Sequence, residues 1–235
     1  MPTFLELCQR VRQECGVAGE VPAVTNQTGV FKKIVERTAR AWTDIQAARP
    51  YWDFMRSQNG PTSLVIGQRE YTLTAAPFSL TNLSKFDPKA AFIYETSTVD
   101  ETKLDWITYD AFRVYYRTYP DGRPTRIYQG LNGVIGFDFT PDKTYKVTLD
   151  YWKTATILAA NTDVPSLPEQ YHDVIVWKSV MMFAGSESAT ELYNYAKSMY
   201  TPLYHELLVD QGALPGSVNS YAFAFGQTYT TRPGF

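Results

Sequence analysis

Thr144–Trp152 reads TYKVTLDYW. Tyr145, Val147, Leu149 and Tyr151 alternate with Thr144, Lys146, Thr148 and Asp150. A period of two, with apolar side chains on one side and polar ones on the other, is the mark of a half-buried β-strand. Toward the N-terminus the same period runs through SLVIGQREYTLTA, AAFIYE, FRVYYRT, TRIYQG and GVIGFDF, beginning at about Ser63. Asp121-Gly122, Asn132-Gly133 and Thr140-Pro-Asp-Lys143 punctuate these runs with turn residues. The middle of the chain is therefore expected to be an antiparallel sheet region closed as a small sandwich or barrel.

On both sides of this region the period changes to that of a helix. Thr3-Phe-Leu-Glu6 is a capping box, and Phe4, Leu7, Cys8, Val11 and Cys15 follow on one face until Gly16. A second stripe comprises Phe31, Ile34, Val35, Thr38, Ala41, Trp42 and Ile45, ahead of Pro50 and a bulky Tyr51, Trp52, Phe54, Met55 plug. After the strands, Ser166-Leu-Pro-Glu169 reads as another capping box. It opens a helix that is apolar nearly all round (Tyr171, Val174, Ile175, Val176, Trp177, Val180, Met181, Met182, Phe183) and must be buried on most sides. Ser188-Ala-Thr-Glu191 reads as a third box, before a stripe of Leu192, Ala196, Met199, Leu203 and Leu207 that Pro202 is expected to kink or split.

The expected fold is thus α+β. The N-terminal helices (1–60) and C-terminal helices (156–212) form one four-helix bundle. An antiparallel β sandwich or barrel lobe (61–155) is inserted between them, and an extended arm (213–235) follows.

The chain has 235 residues, 44% of them apolar, with a formal charge of −2. These values describe a globular chain with ample core and no basic patch for gripping nucleic acid. Cys8 and Cys15 lie seven apart on one helix, about 10 Å along its axis, too far for a disulfide. They suit a protein made in a reducing cytoplasm. The N-terminal stretch carries charges where a signal peptide needs an apolar core, and no apolar run approaches the roughly 20 residues of a membrane span.

Reactive motifs are scarce. His172 beside Asp173 and His205 beside Glu206 are read as solvated or capping histidines, because no nucleophile motif accompanies them. Gly130, Gly133 and Gly136 have the wrong spacing for a dinucleotide loop and suit turns and bulges. Asp100, Glu101, Asp105 and Asp110 read as carboxylates along exposed sheet edges. No catalytic residue, cofactor or metal is expected.

The last nineteen residues, SVNSYAFAFGQTYTTRPGF, carry no charge except Arg232. Tyr221, Phe223, Phe225 and Tyr229 alternate with Ala222, Ala224, Gly226 and Thr228, a strand pattern with one aromatic and one small face. Pro215-Gly216 separates this stretch from the last helix, and Arg232-Pro-Gly-Phe235 ends it. Such an arm either packs on its own sheet or is lent to another chain. Tyr221, Phe223, Phe225, Tyr229 and Phe235 are the candidate partner-interface residues.

Both ends of the chain carry a resemblance. TFLELCQRVRQECG, the pattern Ala41-Trp42, Asp44-Ile45-Gln46, Trp52-Asp53-Phe54-Met55, and the run from Leu149 through Asp163, Pro165, Leu167-Pro168 and Tyr171-His172 are similar to head-to-tail adaptor (connector, or nozzle-ring) proteins of tailed bacteriophages. The resemblance implies a structural virion protein that assembles as a ring, a dodecamer, beneath the portal protein. It would extend the DNA channel without sequence-specific binding and receive the next tail (nozzle) component. A terminal arm would reach the portal or a neighbouring subunit, with no membrane involved. The alternatives are another tail or baseplate structural protein, or a carbohydrate-binding or hydrolytic tail protein that uses the β lobe.

Overall fold

A computed structural model describes residues 1–49, 51–96, 100–116 and 120–211. The arm, with Tyr221, Phe223, Phe225, Tyr229 and Phe235, lies outside the described residues. Five α-helices occur among the described residues: α1 (Phe4–Glu14), α2 (Gly29–Ala47), α3 (Tyr109–Tyr115), α4 (His172–Ser186) and α5 (Thr190–Asp210). Eight strands accompany them: β1 (Arg56–Ser63), β2 (Glu70–Thr72), β3 (Leu83–Glu95), β4 (Thr102–Lys103), β5 (Asp105–Trp106), β6 (Arg126–Gln129), β7 (Val134–Phe137) and β8 (Tyr145–Lys153). The fold is α+β. Met1–Phe54 and the described residues from Ala155 onward form one compact unit, and Met55–Thr154 form the other.

In the helical unit α4 packs against α1, α2 and α5, and α1 also meets α2. Val174, Ile175, Val176, Trp177, Val180, Phe183 and Ala184 of α4 are all buried, as its apolar circumference requires. From α2, Ile34, Ala41, Trp42 and Ile45 are fully buried. The capping box at the start of α1 is complete: Glu6 N–H donates to Thr3 Oγ1, and Thr3 N–H donates to the Glu6 carboxylate at 2.8 Å. The other two expected boxes do not form. A single 3-10 turn (Glu169–Tyr171) leads into α4, and Ser188 takes a left-handed backbone conformation before α5, so neither serine reaches an N-cap position. Pro202 does not break α5, which runs through it as one helix. Thr201 Oγ1 donates to the Lys197 carbonyl at 2.8 Å within that turn.

In the other unit two four-stranded sheets, ordered β1-β8-β3-β4 and β2-β7-β6-β5, enclose a shared apolar core. Tyr145, Val147, Leu149 and Tyr151 of β8 all point into it, as their alternation requires. Their strand lies between β1 and β3, antiparallel to both. The Asn132-Gly133 turn between β6 and β7 has both residues at positive φ, and Val134 N–H closes it by donating to the Leu131 carbonyl. Gly130 N–H donates to the Val134 carbonyl at 2.8 Å, so three residues link the paired strands.

Four strand expectations are corrected. The sheet region is mixed rather than antiparallel, because β5 runs parallel to β6. SLVIGQREYTLTA holds the end of β1 and all of β2, divided by a turn in which Gly67 N–H donates to the Pro141 carbonyl. β1 (RSQNGPTS) begins at Arg56, earlier than the change of period, because its strand character comes from β8 rather than from apolar alternation. Arg56 anchors it by donating to Asp150 at 2.8 Å and Asp87 at 3.2 Å. Finally, FRVYYRT begins inside a helix. Thr108 Oγ1 accepts from Ala111 N–H at 3.2 Å to start α3, and Tyr109 and Phe112, three apart, then face the same ring.

That ring belongs to Tyr128 on β6. Phe112 stacks on it at 3.9 Å between centroids, and across the strands it faces Gly136 of β7. A Cβ at Gly136 would lie 2.2 Å from the Tyr128 ring, so the glycine is required by space rather than by backbone conformation. Gly136→Ala is expected to destabilise this unit by about 1–3 kcal/mol as an overpacked site, with partial recovery when combined with Tyr128→Leu. In the helical unit, Trp177→Ala removes a buried ring and is expected to cost about 3–5 kcal/mol. Thermal or urea unfolding of the single and double variants measures both effects.

Candidate functional site

The segment between β8 and α4 joins the helices through backbone hydrogen bonds. The first N–H groups of α1 have no partners within the helix. Phe4 N–H donates instead to the Asp163 carbonyl at 2.7 Å, and Leu5 N–H to the Asn161 carbonyl at 3.3 Å. Asn161 Oδ1 accepts from Val24 N–H at 2.7 Å. The Asp163 carboxylate accepts from Ala159 and Ala160 N–H at 2.7 and 2.8 Å, which holds its pKa below the usual carboxylate value. Buried Gln46 of α2 uses both ends of its amide on Thr156, donating to the carbonyl at 2.9 Å and accepting from the N–H at 2.8 Å. The Trp42 indole donates to Thr156 Oγ1 at 3.2 Å, while that of Trp52 donates to the Ile45 and Gln46 carbonyls, both at 3.1 Å. The motif residues at both ends of the chain are thus packing and stitching groups.

The candidates for chemistry are likewise engaged in structure. His172 is buried, not solvated, and its Nε2 meets the Leu167 carbonyl at 2.8 Å. Burial pushes its pKa below 6.5, against the opposing pull of the Leu167 carbonyl, Glu169 and Asp173. Asp138, which the sequence reading passed over inside GVIGFDF, is a fully buried carboxylate. It accepts from Thr125 N–H (2.9 Å), Arg126 N–H (3.0 Å) and Phe139 N–H (3.0 Å), and also from the Thr125 hydroxyl. Burial raises the Cys8 and Cys15 thiols to about 12, and both are free. Asp100, Glu101, Asp105 and Asp110 are exposed. Among the described residues no group of three or more His, Cys, Asp or Glu side chains converges as a metal site would require. No described helix is long and apolar enough to cross a membrane.

What the described surface does carry is exposed apolar area on α5. Ala196 and Leu207 are its buried residues, with Leu192 and Leu203 half-buried on the same stripe. Met199, which the spacing places on that stripe, is 38% exposed and belongs to its flank, with Tyr195 at 53% and Val209 at 37%. Tyr195 meets the Trp177 ring edge-to-face at 5.6 Å, and Tyr200 stacks on Tyr204 at 5.1 Å. Smaller exposed apolar groups sit on the β unit, at Val65, Ile66 and Leu131 in turns and at Val114 and Tyr115 on α3. Of the residues that sequence reasoning assigned to a partner interface, none lies among those described. The α5 flank it missed has a short sequence signal, Tyr195, Met199 and Pro202 at intervals of four and three.

The model of the SU10 adaptor protein family matches residues 2–218, and the chain belongs to that family. It is a structural adaptor of a tailed phage and a component of the virion. The match ends two residues into the terminal aromatic stretch. No curated protein matches the chain.

The buried His172 generates a pH dependence. In the unfolded chain it binds a proton near pH 6.5, whereas the fold holds its pKa lower. The unfolded state therefore binds more protons below pH 6.5, and stability falls as the pH drops through that value until the folded-state group is also protonated. Well above pH 6.5 the effect vanishes. His172→Gln is expected to flatten the melting-temperature profile between pH 7 and pH 5 relative to the parent chain.

Proposed function

We propose that this chain is the subunit of a homo-oligomeric ring, a dodecamer, that docks beneath the portal protein, extends the DNA channel and attaches the next tail or nozzle component. Family membership supports an adaptor role. The observation that carries the reading further is the apolar flank of α5, because a helix buried along one stripe and apolar along the next has a second surface to cover. In this proposal residues 1–60 and 156–212 act as one four-helix bundle, 61–155 as the inserted lobe and 213–235 as an arm. Tyr221, Phe223, Phe225, Tyr229 and Phe235 of the arm contact a neighbouring subunit or the portal, where alternating side chains and backbone hydrogen bonds give affinity and register. The chain performs no catalysis and needs no cofactor. It is made in the host bacterial cytoplasm, and its charge of −2 suits a channel that DNA passes without sequence-specific contact.

Two measurements test this. Light scattering of the purified protein, alone and mixed with portal, is expected to show a ring on the portal with twelve copies of the chain. A mixture that stays unassociated sinks the portal assignment. Deleting residues 217–235 is expected to leave a folded protein by circular dichroism that no longer joins heads to tails. Unfolding of the truncated chain would place the arm in its own core.

A further inference from the structure

Alternation gives the sheet β1-β8-β3-β4 a second face, turned away from the core. Ala91 and Ile93 of β3 and Val147 and Leu149 of β8 are fully buried in the core, so Phe92, Tyr94, Lys146 and Thr148 lie on the opposite face. Strand pairing fixes their layout. Phe92 stands between Thr148 of β8 and Lys103 of β4, and Tyr94 stands opposite Lys146. Both rings are half-buried, as is Lys146, and Lys103 is exposed. Farther along the same face, Lys85 and Arg56 both pair with Trp152, whose buried ring lies beside the Arg56 guanidinium.

The charge on this face is one-sided. Arg56, Lys85, Lys103 and Lys146 stand on its paired strands, and the two carboxylates there, Asp87 and Asp150, both accept from Arg56. Elsewhere in this unit Lys143 pairs with Glu95, Arg123 with Asp100 and Arg69 with Glu70. Lys103 and Lys146 have no carboxylate partner among the described residues. Four cations against two carboxylates make the face positive in a chain whose formal charge is −2. They come from four different strands, so no basic run marks them in the sequence.

We propose that this face binds single-stranded nucleic acid, with phosphates on Lys103 and Lys146 and bases against the Phe92 and Tyr94 rings. Neighbouring strands lie about 4.8 Å apart, so the two lysines flank β3 on either side at about 10 Å across the sheet. Phe92 and Tyr94 are two steps apart along β3, about 6.7 Å, which lets two successive bases each meet a ring. Every base has a π-face, so such stacking tolerates any sequence. A duplex keeps its bases stacked on one another and would engage the lysines alone. An acidic protein segment would likewise leave the rings without a stacking partner. Two phosphate contacts give modest affinity that salt weakens steeply. The inference goes beyond the adaptor reading and does not rest on it.

The test is fluorescence anisotropy of a labelled oligothymidylate titrated with the full chain at low salt. Saturable binding is expected. Lys103→Ala combined with Lys146→Ala is expected to weaken it several-fold and to lower the slope of log K against log salt by about 1.4. Phe92→Leu combined with Tyr94→Leu is expected to weaken it several-fold with the slope unchanged. Should that pair fail to fold by circular dichroism, Tyr94→Leu alone takes its place. Absence of binding, or binding that the lysine pair leaves unchanged, overturns the proposal. Equally tight binding of a duplex also overturns it and assigns the face to phosphate alone. Equally tight binding of polyglutamate overturns it in favour of an acidic protein segment. No readout involves portal or ring assembly, so failure here and failure of the adaptor proposal are separable.

Discussion

The helical unit depends on enclosing α4. A helix that is apolar around almost its whole circumference cannot leave one face in water, so its neighbours must come from several directions. α1, α2 and α5 supply them. The segment after β8 makes this packing possible without stranding polar backbone, because it accepts from the free N–H groups of α1 and meets the Gln46 amide of α2 edge to edge. Removing a single group there would leave a desolvated donor or acceptor, which costs more than the hydrogen bond contributes.

The β unit meets a similar demand by other means. β8 carries the alternation and recruits the polar strand β1 through its backbone and through Arg56 between Asp87 and Asp150. On the second sheet the Tyr128 ring fills the space over Gly136 and gives α3 a surface to stack on. Both units therefore enclose apolar cores, and apolar area remains on the α5 flank and at turn tips. For an assembly component that division is useful: the interiors resist change while the uncovered residues remain for contacts with other chains.

The sequence by itself determined the elements whose pattern is local. Thr3-Phe-Leu-Glu6 closes its capping box, Asn132-Gly133 makes its tight turn, and the alternation of β8 and the stripe of α2 face their cores, because in each the signal and the stabilising contact lie within a few residues of one another. The family, too, was legible in the packing and connector residues at both ends. Only the tertiary structure decided the elements whose partners are remote in sequence. Aromatic-rich Phe112–Tyr115 has the composition of a strand, yet it is helical because Thr108 caps the helix and Tyr128 receives Phe112. RSQNGPTS has no apolar alternation, yet it is a strand because β8 supplies its hydrogen bonds. Ser166 and Ser188 have the spacing of caps, yet their backbones place them elsewhere. Beside Asp173, His172 reads as solvated or capping, and it is buried because it opens α4 where Val174, Ile175 and Val176 enter the helical core. The exposure of Tyr195 and Met199 was equally hidden, since spacing shows that residues share a helix face but not whether anything in the fold covers it.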